Sequence, residues 1–309
     1  MSILLDEKSR IIIQGITGKQ ARLHVPYHLE YGTNLIGGVT PGKSGETVNG
    51  LPVFDTVRQA QDELGQIDLT MILTPPYTVL DSALEAIDNG IKVVVIITEH
   101  MPVHDTIKIR EAAREAGCCV VGPNTIGVIS PGKSKLGVMP GFLYSQGPVG
   151  IVSRSGTLTH ESSSCLTIRG IGQTTCVGIG GDPVPGSPFE DILERFRFDP
   201  ETEAVLMIGE IGGGAEERAA EYLKQVGYEK PLVAFIAGAT SPPGKKMGHA
   251  GAIISGGAGT PESKHAALIG AGAKVAASLE EAYDMLEEIL RAKGFVPSPP
   301  DMANRSVKL

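Results

Sequence analysis

Short apolar runs, separated by longer stretches of mixed polarity, dominate the first half of the chain. The runs predict buried strands at residues 10–14, 34–39, 68–73, 92–97 and 118–121. Apolar positions with helical spacing lie between them, for example over residues 78–89 and 104–116. The strand runs are continuously apolar rather than alternating, which is typical of parallel strands covered on both faces. Strands that alternate with helices imply right-handed βαβ crossovers, so the sequence predicts a doubly wound α/β fold.

The pattern stops and restarts near the middle of the chain. Residues 122–147 are rich in Gly, Pro, Ser and Lys, and we interpret them as a connector. The apolar runs that follow predict strands at residues 149–153, 174–177, 204–208 and 232–236. We therefore expect two doubly wound domains, over residues 1–145 and 146–295. Residues 296–309 are rich in Pro and Ser, which predicts a flexible tail.

Two capping boxes predict where helices of the second domain begin. One box runs from Ser187 to Glu190, with Pro188 at the first helical position, and the other runs from Ser278 to Glu281. In such a box the serine hydroxyl accepts a hydrogen bond from the N–H of the glutamate, and the glutamate carboxylate accepts one from the N–H of the serine. We expect a helix to begin at each box.

Composition narrows the class of protein. The 309 residues carry a formal net charge of -8 without a long basic run, which argues against nucleic acid as a partner. No apolar stretch approaches the roughly 20 residues of a membrane-spanning helix, and no signal segment precedes the first strand. None of the four cysteines has the C-x-x-C spacing of zinc or redox motifs, which suits a reducing compartment. We expect a cytoplasmic protein, or a mitochondrial matrix protein if the chain is a processed eukaryotic form.

A glycine-containing turn, residues 15–20, follows the first predicted strand and opens a helix. Free N–H groups and the helix dipole favour anions at such a position, although a tight βα turn without a ligand has the same residues. No acidic residue closes the second predicted strand, where an NAD-dependent enzyme would hold the ribose. Lys43 stands close by instead, which suits the extra phosphate of NADP or CoA, or is simply a solvated loop cation.

Three further motifs carry chemistry in the second half of the chain. Residues 153–157 (SRSGT) follow a strand and lead into a helix, so their N–H groups and hydroxyls predict either an anion nest or an ordinary helix cap. Glu210 ends a predicted strand, where ligands of α/β proteins bind. His249 lies between glycine and alanine residues, and a neutral imidazole is a good phosphoryl acceptor when a carboxylate such as Glu210 orients its other nitrogen. The other six histidines form no evident metal site, and we predict no bound metal in this chain.

Five stretches of the chain, taken together, resemble the alpha-subunit family of succinyl-CoA synthetase. They are GGVTPGK (37–43), GIVSRSGTLT (150–159), CVGIGGDPVPGS (176–187), MIGEIGG (207–213) and MGHAGAII (247–254). The resemblance extends from residue 2 to about residue 289. It implies a Rossmann-like CoA-binding domain followed by a flavodoxin-like ligase domain. It also implies an acid–CoA ligase that consumes ATP or GTP and releases the nucleoside diphosphate and phosphate.

The resemblance assigns a role to each motif. His249 corresponds to a histidine that is transiently phosphorylated, and Glu210 corresponds to the residue that orients it. The helix N-terminus that cradles the phosphohistidine corresponds to Ser153, Ser155, Gly156 and Thr157. The CoA site corresponds to Thr17, Gly18, Lys19, Gln20 and Lys43, together with a loop of Ile97, Thr98 and Glu99. A separate beta subunit with an ATP-grasp fold would bind the nucleotide and Mg2+, in an αβ or α2β2 assembly.

Departures from the family pattern bear on the CoA contact, at Lys19, and on the substrate. Lys19 replaces a serine that is usual in the family, and Thr125 and Ile126 alter the segment after Pro123 and Asn124, which we assign to the substrate pocket. His160 stands where the family has a tyrosine near the bound acid. Succinate is therefore the default acid, with malate, citrate or a related acid as alternatives. An NADP-dependent oxidoreductase and a non-catalytic CoA-binding regulator are the other interpretations, and both leave the His249 and SRSGT motifs without a role.

Overall fold

The computed structural model of the chain describes residues 2–239, 248, 249, 251, 252, 254 and 259–298. The elements of the first half are β1 (Ile11–Gln14), α1 (Lys19–Tyr31), β2 (Leu35–Val39), β3 (Thr47–Val48), β4 (Leu51–Phe54), α2 (Val57–Leu64), β5 (Leu69–Ile72), α3 (Val79–Asp88), β6 (Val93–Ile96), α4 (Val103–Ala116) and β7 (Cys119–Val121). They build one sheet in the order β3-β4-β2-β1-β5-β6-β7. All neighbours pair in parallel except β3 and β4. Counted along the parallel strands alone, this is the Rossmann order 3-2-1-4-5-6.

The second half forms a second sheet. Its elements are β8 (Gly127–Ser130), β9 (Ser134–Gly137), β10 (Gln146–Ser153), α5 (Gly156–Ile168), β11 (Gln173–Gly178), α6 (Phe189–Phe198), β12 (Ala204–Glu210), α7 (Ala215–Val226), β13 (Leu232–Ala237), α8 (Pro261–Gly270), β14 (Lys274–Ala276) and α9 (Leu279–Ala292). The strand order is β14-β13-β12-β10-β11-β8-β9. Its parallel strands follow the flavodoxin-like order 2-1-3-4-5. The predicted α/β class with two doubly wound sheets is therefore confirmed.

The predicted connector is wrong in part, because it contains the antiparallel hairpin of β8 and β9. This hairpin pairs with β11 and extends the second sheet. Val128 and Leu136 are fully buried, so the hairpin contributes to the core. The short strands β3, β4 and β14 were not predicted either. The domain boundaries at residues 145 and 295 remain predictions.

The two predicted capping boxes have different outcomes. The hydroxyl of Ser278 accepts a hydrogen bond from the Glu281 N–H at 3.1 Å, as expected for a helix that begins at α9. The helix predicted at the Ser187 box is confirmed by α6, but the serine cap predicted for it is wrong. The Ser187 hydroxyl accepts a hydrogen bond from the Val120 N–H at 3.1 Å, and α6 begins after Pro188 without a side-chain cap. The tertiary contact with β7 takes the hydroxyl that the local sequence assigns to the helix.

The hairpin also joins the two halves of the chain, because it packs against the end of α1. The Gly137 N–H donates to Nε2 of His28 at 3.1 Å, and the Thr33 hydroxyl donates to the Lys135 carbonyl at 2.9 Å. The Gly132 N–H donates to the Tyr31 hydroxyl at 3.0 Å. One buried apolar cluster includes residues of both sheets. No helix in the described part of the chain is long and apolar enough to cross a membrane.

Candidate functional site

A cavity of about 310 Å3 lies where the carboxyl ends of strands from both sheets meet. The loops after β6 and β7 form one wall, and the end of β11, the residues after it, the loop after β10 and the start of α5 form the other. Its lining includes Glu99, Asn124, Arg154, Gly156, His160 and His249. The crevice at the carboxyl ends of parallel strands is where open α/β proteins bind ligands, because helix N-termini and loop side chains converge there.

His249 and Glu210 are in direct contact at this cavity. Nδ1 of His249 lies 2.6 Å from Oε2 of Glu210, which is the last residue of β12. The Glu210 side chain is 7% exposed and the His249 side chain 29%. A carboxylate can only accept, so Nδ1 carries the proton and Nε2 keeps its lone pair. The imidazole also rests on Gly181, where a Cβ atom would lie 2.6 Å from the ring.

Arg154 holds the other carboxylate oxygen of Glu210. Its Nη1 atom lies 3.3 Å from Oε1 of Glu210 in an ion pair, and both side chains are nearly fully buried. Nη2 donates to the Asp182 carbonyl at 2.7 Å, and Nε donates to the Gly180 carbonyl at 3.5 Å. Sequence reasoning did not single out Arg154, although an arginine between a buried strand and a helix start was a usable signal. Its guanidinium fixes the carboxylate that contacts His249.

A second buried ion pair, between Glu216 and Lys264, holds the backbone of Glu210. The Glu210 N–H donates to Oε1 of Glu216 at 3.0 Å, and Glu216 is ion-paired with Lys264. Both partners of this pair are completely buried. Lys264 also donates to Glu217 at 3.1 Å and to the Gly213 carbonyl at 3.2 Å. The loop between β12 and α7 is therefore tied to α8, which fixes the backbone that carries Glu210.

The SRSGT segment forms the N-terminus of α5, and its hydroxyls cap that helix. Ser155 is the N-cap and accepts from the Leu158 N–H at 3.3 Å, while Ser153 accepts from the Ser155 N–H at 3.0 Å. Ser153 is buried and does not line the cavity, whereas Ser155, Gly156 and Thr157 do. The N–H groups of Gly156 and Thr157 belong to the first helical turn, which leaves them without an intrahelical acceptor. An anion at this end of the cavity would therefore meet backbone donors rather than serine side chains.

The residues predicted to bind CoA occupy two places. Thr17, Gly18, Lys19 and Gln20 lie at the N-terminus of α1, which has no side-chain cap, and none of them lines the cavity. Lys43 lies on the exposed loop after β2 and is ion-paired with Glu46 at 2.9 Å.

The loop after β6 connects this region to the cavity. Ile97 and Glu99 line the cavity, whereas the Thr98 hydroxyl donates to the Thr74 carbonyl at 2.8 Å. Together with the loop after β7, this loop links the first sheet to the His249 site.

Comparison with known proteins identifies the family. Residues 6–100 match the CoA binding domain model, and residues 152–274 match the CoA-ligase model. The succinate–CoA ligase [ADP-forming] subunit alpha of Methanothermobacter thermautotrophicus is 55% identical over 88% of this chain and 92% of its own length. The subunit of the same name from Staphylococcus aureus is 50% identical over 96% of this chain and 98% of its own length. The chain belongs to the succinate–CoA ligase alpha-subunit family.

Solved structures of other proteins share this fold. ATP citrate lyase from Methanothrix soehngenii, in complex with citrate and coenzyme A, superposes with a TM-score of 0.87 at 24% identity. The match covers 96% of this chain but only 53% of the lyase chain, so this family member spans about half of that protein. A dinucleotide-forming acetyl-coenzyme A synthetase from Ca. Korarchaeum cryptofilum has a TM-score of 0.72 at 21% identity. No comparison favours an NADP-dependent oxidoreductase.

The residues assigned to the acid pocket are only partly at the cavity. Asn124 and His160 line it, whereas Pro123 is buried and does not. Nδ2 of Asn124 donates to Oδ1 of Asp182 at 3.0 Å, next to the carbonyl that binds Arg154. Nδ1 of His160 lies 2.7 Å from the hydroxyl of Tyr144, a residue that sequence reasoning missed. Burial lowers the pKa of His160, so its imidazole is neutral at neutral pH.

Metal ligands are not grouped in the described part of the chain. No set of three or more His, Cys, Asp or Glu residues there has the geometry to hold a metal ion. The carboxylates around the site have protein cations as partners instead: Glu210 is paired with Arg154, and Glu216 with Lys264.

Proposed function

We propose that this chain is the alpha subunit of a ligase that joins succinate to CoA at the expense of a nucleoside triphosphate, with His249 as the phosphoryl carrier. The contact of 2.6 Å between His249 and Glu210 carries the proposal, because it leaves Nε2 as an accessible nucleophile at a helix N-terminus. Relatives at 50–55% identity are named succinate–CoA ligase [ADP-forming] subunit alpha, which supports succinate as the acid and ATP as the nucleotide.

The proposed reaction passes one phosphoryl group through the imidazole. Nε2 of His249 attacks the γ-phosphorus of ATP, a P–N bond forms, and ADP leaves. A carboxylate oxygen of succinate then attacks the same phosphorus, so the P–N bond breaks and succinyl phosphate forms. The CoA thiolate attacks the acyl carbon, giving the thioester and inorganic phosphate, while the thiol proton passes to solvent. A covalent carrier divides one difficult transfer into easier steps.

Glu210, Arg154 and the start of α5 each contribute to this transfer. The Glu210 carboxylate holds the Nδ1 proton and stabilises the positive charge that the ring gains when Nε2 forms a bond. Arg154 keeps that carboxylate in place. The N–H groups of Gly156 and Thr157 face developing negative charge on the phosphoryl oxygens, and a helix N-terminus contributes about 0.3–2 kcal/mol to such stabilisation.

CoA is proposed to extend from the first domain to this cavity. Residues 6–100 match a CoA binding domain, which supports CoA use by this part of the chain. The N–H groups at Gly18, Lys19 and Gln20 suit the pyrophosphate, and Lys43 suits the 3′-phosphate. Ile97 and Glu99 continue to the cavity, where the thiol would meet the acyl phosphate.

The nucleotide site is proposed to lie in a separate beta subunit with an ATP-grasp fold, which also holds Mg2+. The relatives are named as subunits, which supports an obligatory partner. Thr17 follows β1 of the first sheet, whereas His249 lines the cavity beside the start of α5 and does not share it with Thr17, which supports separate CoA and phosphoryl sites. An αβ or α2β2 assembly would bring a second helix N-terminus to the phosphohistidine.

The test is phosphate incorporation from γ-labelled ATP in the complex isolated with its partner. His249→Asn is expected to abolish acid-labile label while CoA still binds, and Glu210→Gln is expected to slow labelling without unfolding the chain. His104→Asn, on the exposed start of α4, is the matched control and is expected to label at the wild-type rate. Labelling of the His249→Asn complex at the wild-type level would refute the proposal.

A further inference from the structure

Tyr144 and His160 form a hydrogen-bonded pair beside the cavity. The phenol oxygen of Tyr144 lies 2.7 Å from Nδ1 of His160, and the two rings meet edge-on with centroids 6.2 Å apart. Tyr144 precedes β10 and is 5% exposed, whereas His160 lies in α5 and lines the cavity. Because Tyr144 occupies Nδ1, Nε2 is the ring nitrogen that remains for a ligand.

The direction of this hydrogen bond follows from the burial of the phenol. Burial raises the pKa of Tyr144, so the phenol keeps its proton. In the described part of the chain, Nδ1 of His160 is the acceptor within hydrogen-bond distance of the phenol oxygen. A buried hydroxyl without an acceptor is costly, so the phenol donates its proton to Nδ1 of His160. A neutral imidazole that accepts at Nδ1 carries its own proton on Nε2.

We propose that Tyr144 is a positioning residue that holds His160 as a neutral donor, with Nε2–H facing the acid pocket. The inference rests on the proposed function and names its substrate class: acids with a hydrogen-bond acceptor remote from the reacting carboxylate. Dicarboxylic acids and hydroxy acids have such an acceptor, and simple monocarboxylic acids lack it. An apolar end would leave the Nε2–H group unpaired, which costs binding free energy.

Arg154, the cation beside His160, does not select for acids with a remote hydrogen-bond acceptor. Arg154 lies in the same cavity wall, but its guanidinium is engaged by Glu210 and by the Gly180 and Asp182 carbonyls. Asn124 is likewise engaged, because its Nδ2 atom donates to Asp182. His160 differs from these two residues. Its Nδ1 atom is bonded to Tyr144, which leaves the Nε2–H group available to a ligand in the cavity.

The test compares kcat/KM for succinate and butyrate in the complex isolated with its partner. Butyrate has the same four-carbon chain with a methyl group in place of the remote carboxylate. His160→Phe is expected to lower kcat/KM for succinate about tenfold to a hundredfold, through KM, and to change that for butyrate by less than about twofold. The ratio of kcat/KM for succinate to kcat/KM for butyrate should also fall in Tyr144→Phe. His160→Gln keeps an N–H group at this position, so its succinate-to-butyrate ratio is expected to lie close to that of the wild-type complex.

Tyr283→Phe is the matched control. The Tyr283 hydroxyl also donates to α5, to Ser162 at 3.1 Å, but this residue does not line the cavity. Its loss is expected to leave the succinate-to-butyrate ratio unchanged. An unchanged ratio in His160→Phe, in a complex that still labels with ATP, would overturn this inference alone. A wild-type complex that does not label at all would instead overturn the proposed function.

A spectroscopic measurement decides the tautomer independently of turnover. Solid-state nitrogen NMR of the complex with labelled histidine, assigned with the His160→Gln variant, is expected to show a protonated Nε2 and an unprotonated Nδ1. Tyr144→Phe is expected to convert this into a mixture of tautomers. A protonated Nδ1 in the wild-type complex would contradict the positioning role of Tyr144.

Discussion

Arg154 and Glu210 form an ion pair that is almost completely shielded from water, with side-chain exposures of 5% and 7%. Arg154→Met would leave the Glu210 carboxylate buried beside His249 without its cation. The expected loss is about 3–5 kcal/mol in the free energy of unfolding, because an uncompensated buried charge is expensive. Urea denaturation measures this loss, and Glu210→Gln in the same chain is expected to recover part of it.

Arg291→Met is the matched control for this prediction. Arg291 pairs with Glu287 one helical turn away, at 2.8 Å, but its side chain is 57% exposed. Exposed pairs of this kind contribute about 0.3–0.5 kcal/mol. An Arg154→Met variant as stable as Arg291→Met would show that the buried pair does not hold Glu210 in place.

Gly181 is expected to be necessary for phosphorylation although it carries no reactive group. A Cβ atom at this position would lie 2.6 Å from the ring of His249, so Gly181→Ala must displace the imidazole. Misplacement of a nucleophile by about 1 Å can cost up to a hundredfold in rate, and we expect a tenfold to hundredfold slower labelling from ATP. Gly270→Ala meets its nearest neighbour at 3.4 Å, an ordinary contact, and is expected to label normally. Equal labelling rates in the two variants would contradict the prediction.

Because of His28, the free energy of unfolding is expected to decrease in acid. Its Nδ1–H group donates to the His24 carbonyl at 2.8 Å, and its Nε2 atom accepts from the Gly137 N–H at 3.1 Å, so only the neutral ring satisfies both bonds. Burial lowers the pKa of His28 to about 4, from 6.5 in an unfolded chain. Between these values the unfolded chain binds more protons, so stability is complete above pH 6.5 and falls as the pH drops towards 4.

Between about pH 7 and pH 5, His28 is expected to lower the free energy of unfolding by about 2 kcal/mol. Urea denaturation at both pH values measures it. Other groups titrate in the same range, so the comparison is with His28→Gln, which should lose that part of the pH dependence. His104→Gln, at an exposed position, should keep the wild-type dependence. If His28→Gln keeps it as well, the imidazole of His28 does not cause the acid sensitivity.

Lys43 is expected to distinguish CoA from dephospho-CoA. Its side chain is about half exposed, and only Glu46 is paired with it in the described structure. An exposed charge contact of about 1 kcal/mol corresponds to roughly fivefold, so Lys43→Ala should raise KM for CoA by that factor. KM for dephospho-CoA, which lacks the 3′-phosphate, should not change. Lys108→Ala on α4 is the control, and equal effects on both thiols in Lys43→Ala would contradict the assignment.

The sequence predicted the two sheets well because their central strands are continuous apolar runs. It missed the hairpin of β8 and β9, whose strands read GVIS and SKLG and resemble a loop by composition. Lys135 in β9 is 5% exposed, since its amino group donates to the Met139 carbonyl at 3.0 Å. Only the tertiary fold supplies that acceptor. The same reason explains Ser187, whose hydroxyl serves β7 rather than α6.

The candidate site was predictable where one short motif contains the chemistry. His249 and Glu210 were paired from their residue types and their places after strands, and the structure has them in contact. Arg154 and Tyr144 were missed because their partners are not local. The Asp182 carbonyl is 28 residues from Arg154, and Tyr144 lies in the segment that was interpreted as a connector.

The hairpin of β8 and β9 also determines how the chain can be divided. A fragment that starts at the predicted boundary, residue 146, would lack both strands, so β11 would become the edge of the second sheet. All six residues of β11 are buried in the intact chain. A bare apolar edge of this kind recruits strands from other molecules. The ligase half would therefore aggregate when expressed from residue 146, and a fragment that begins before Gly127 would stay monodisperse.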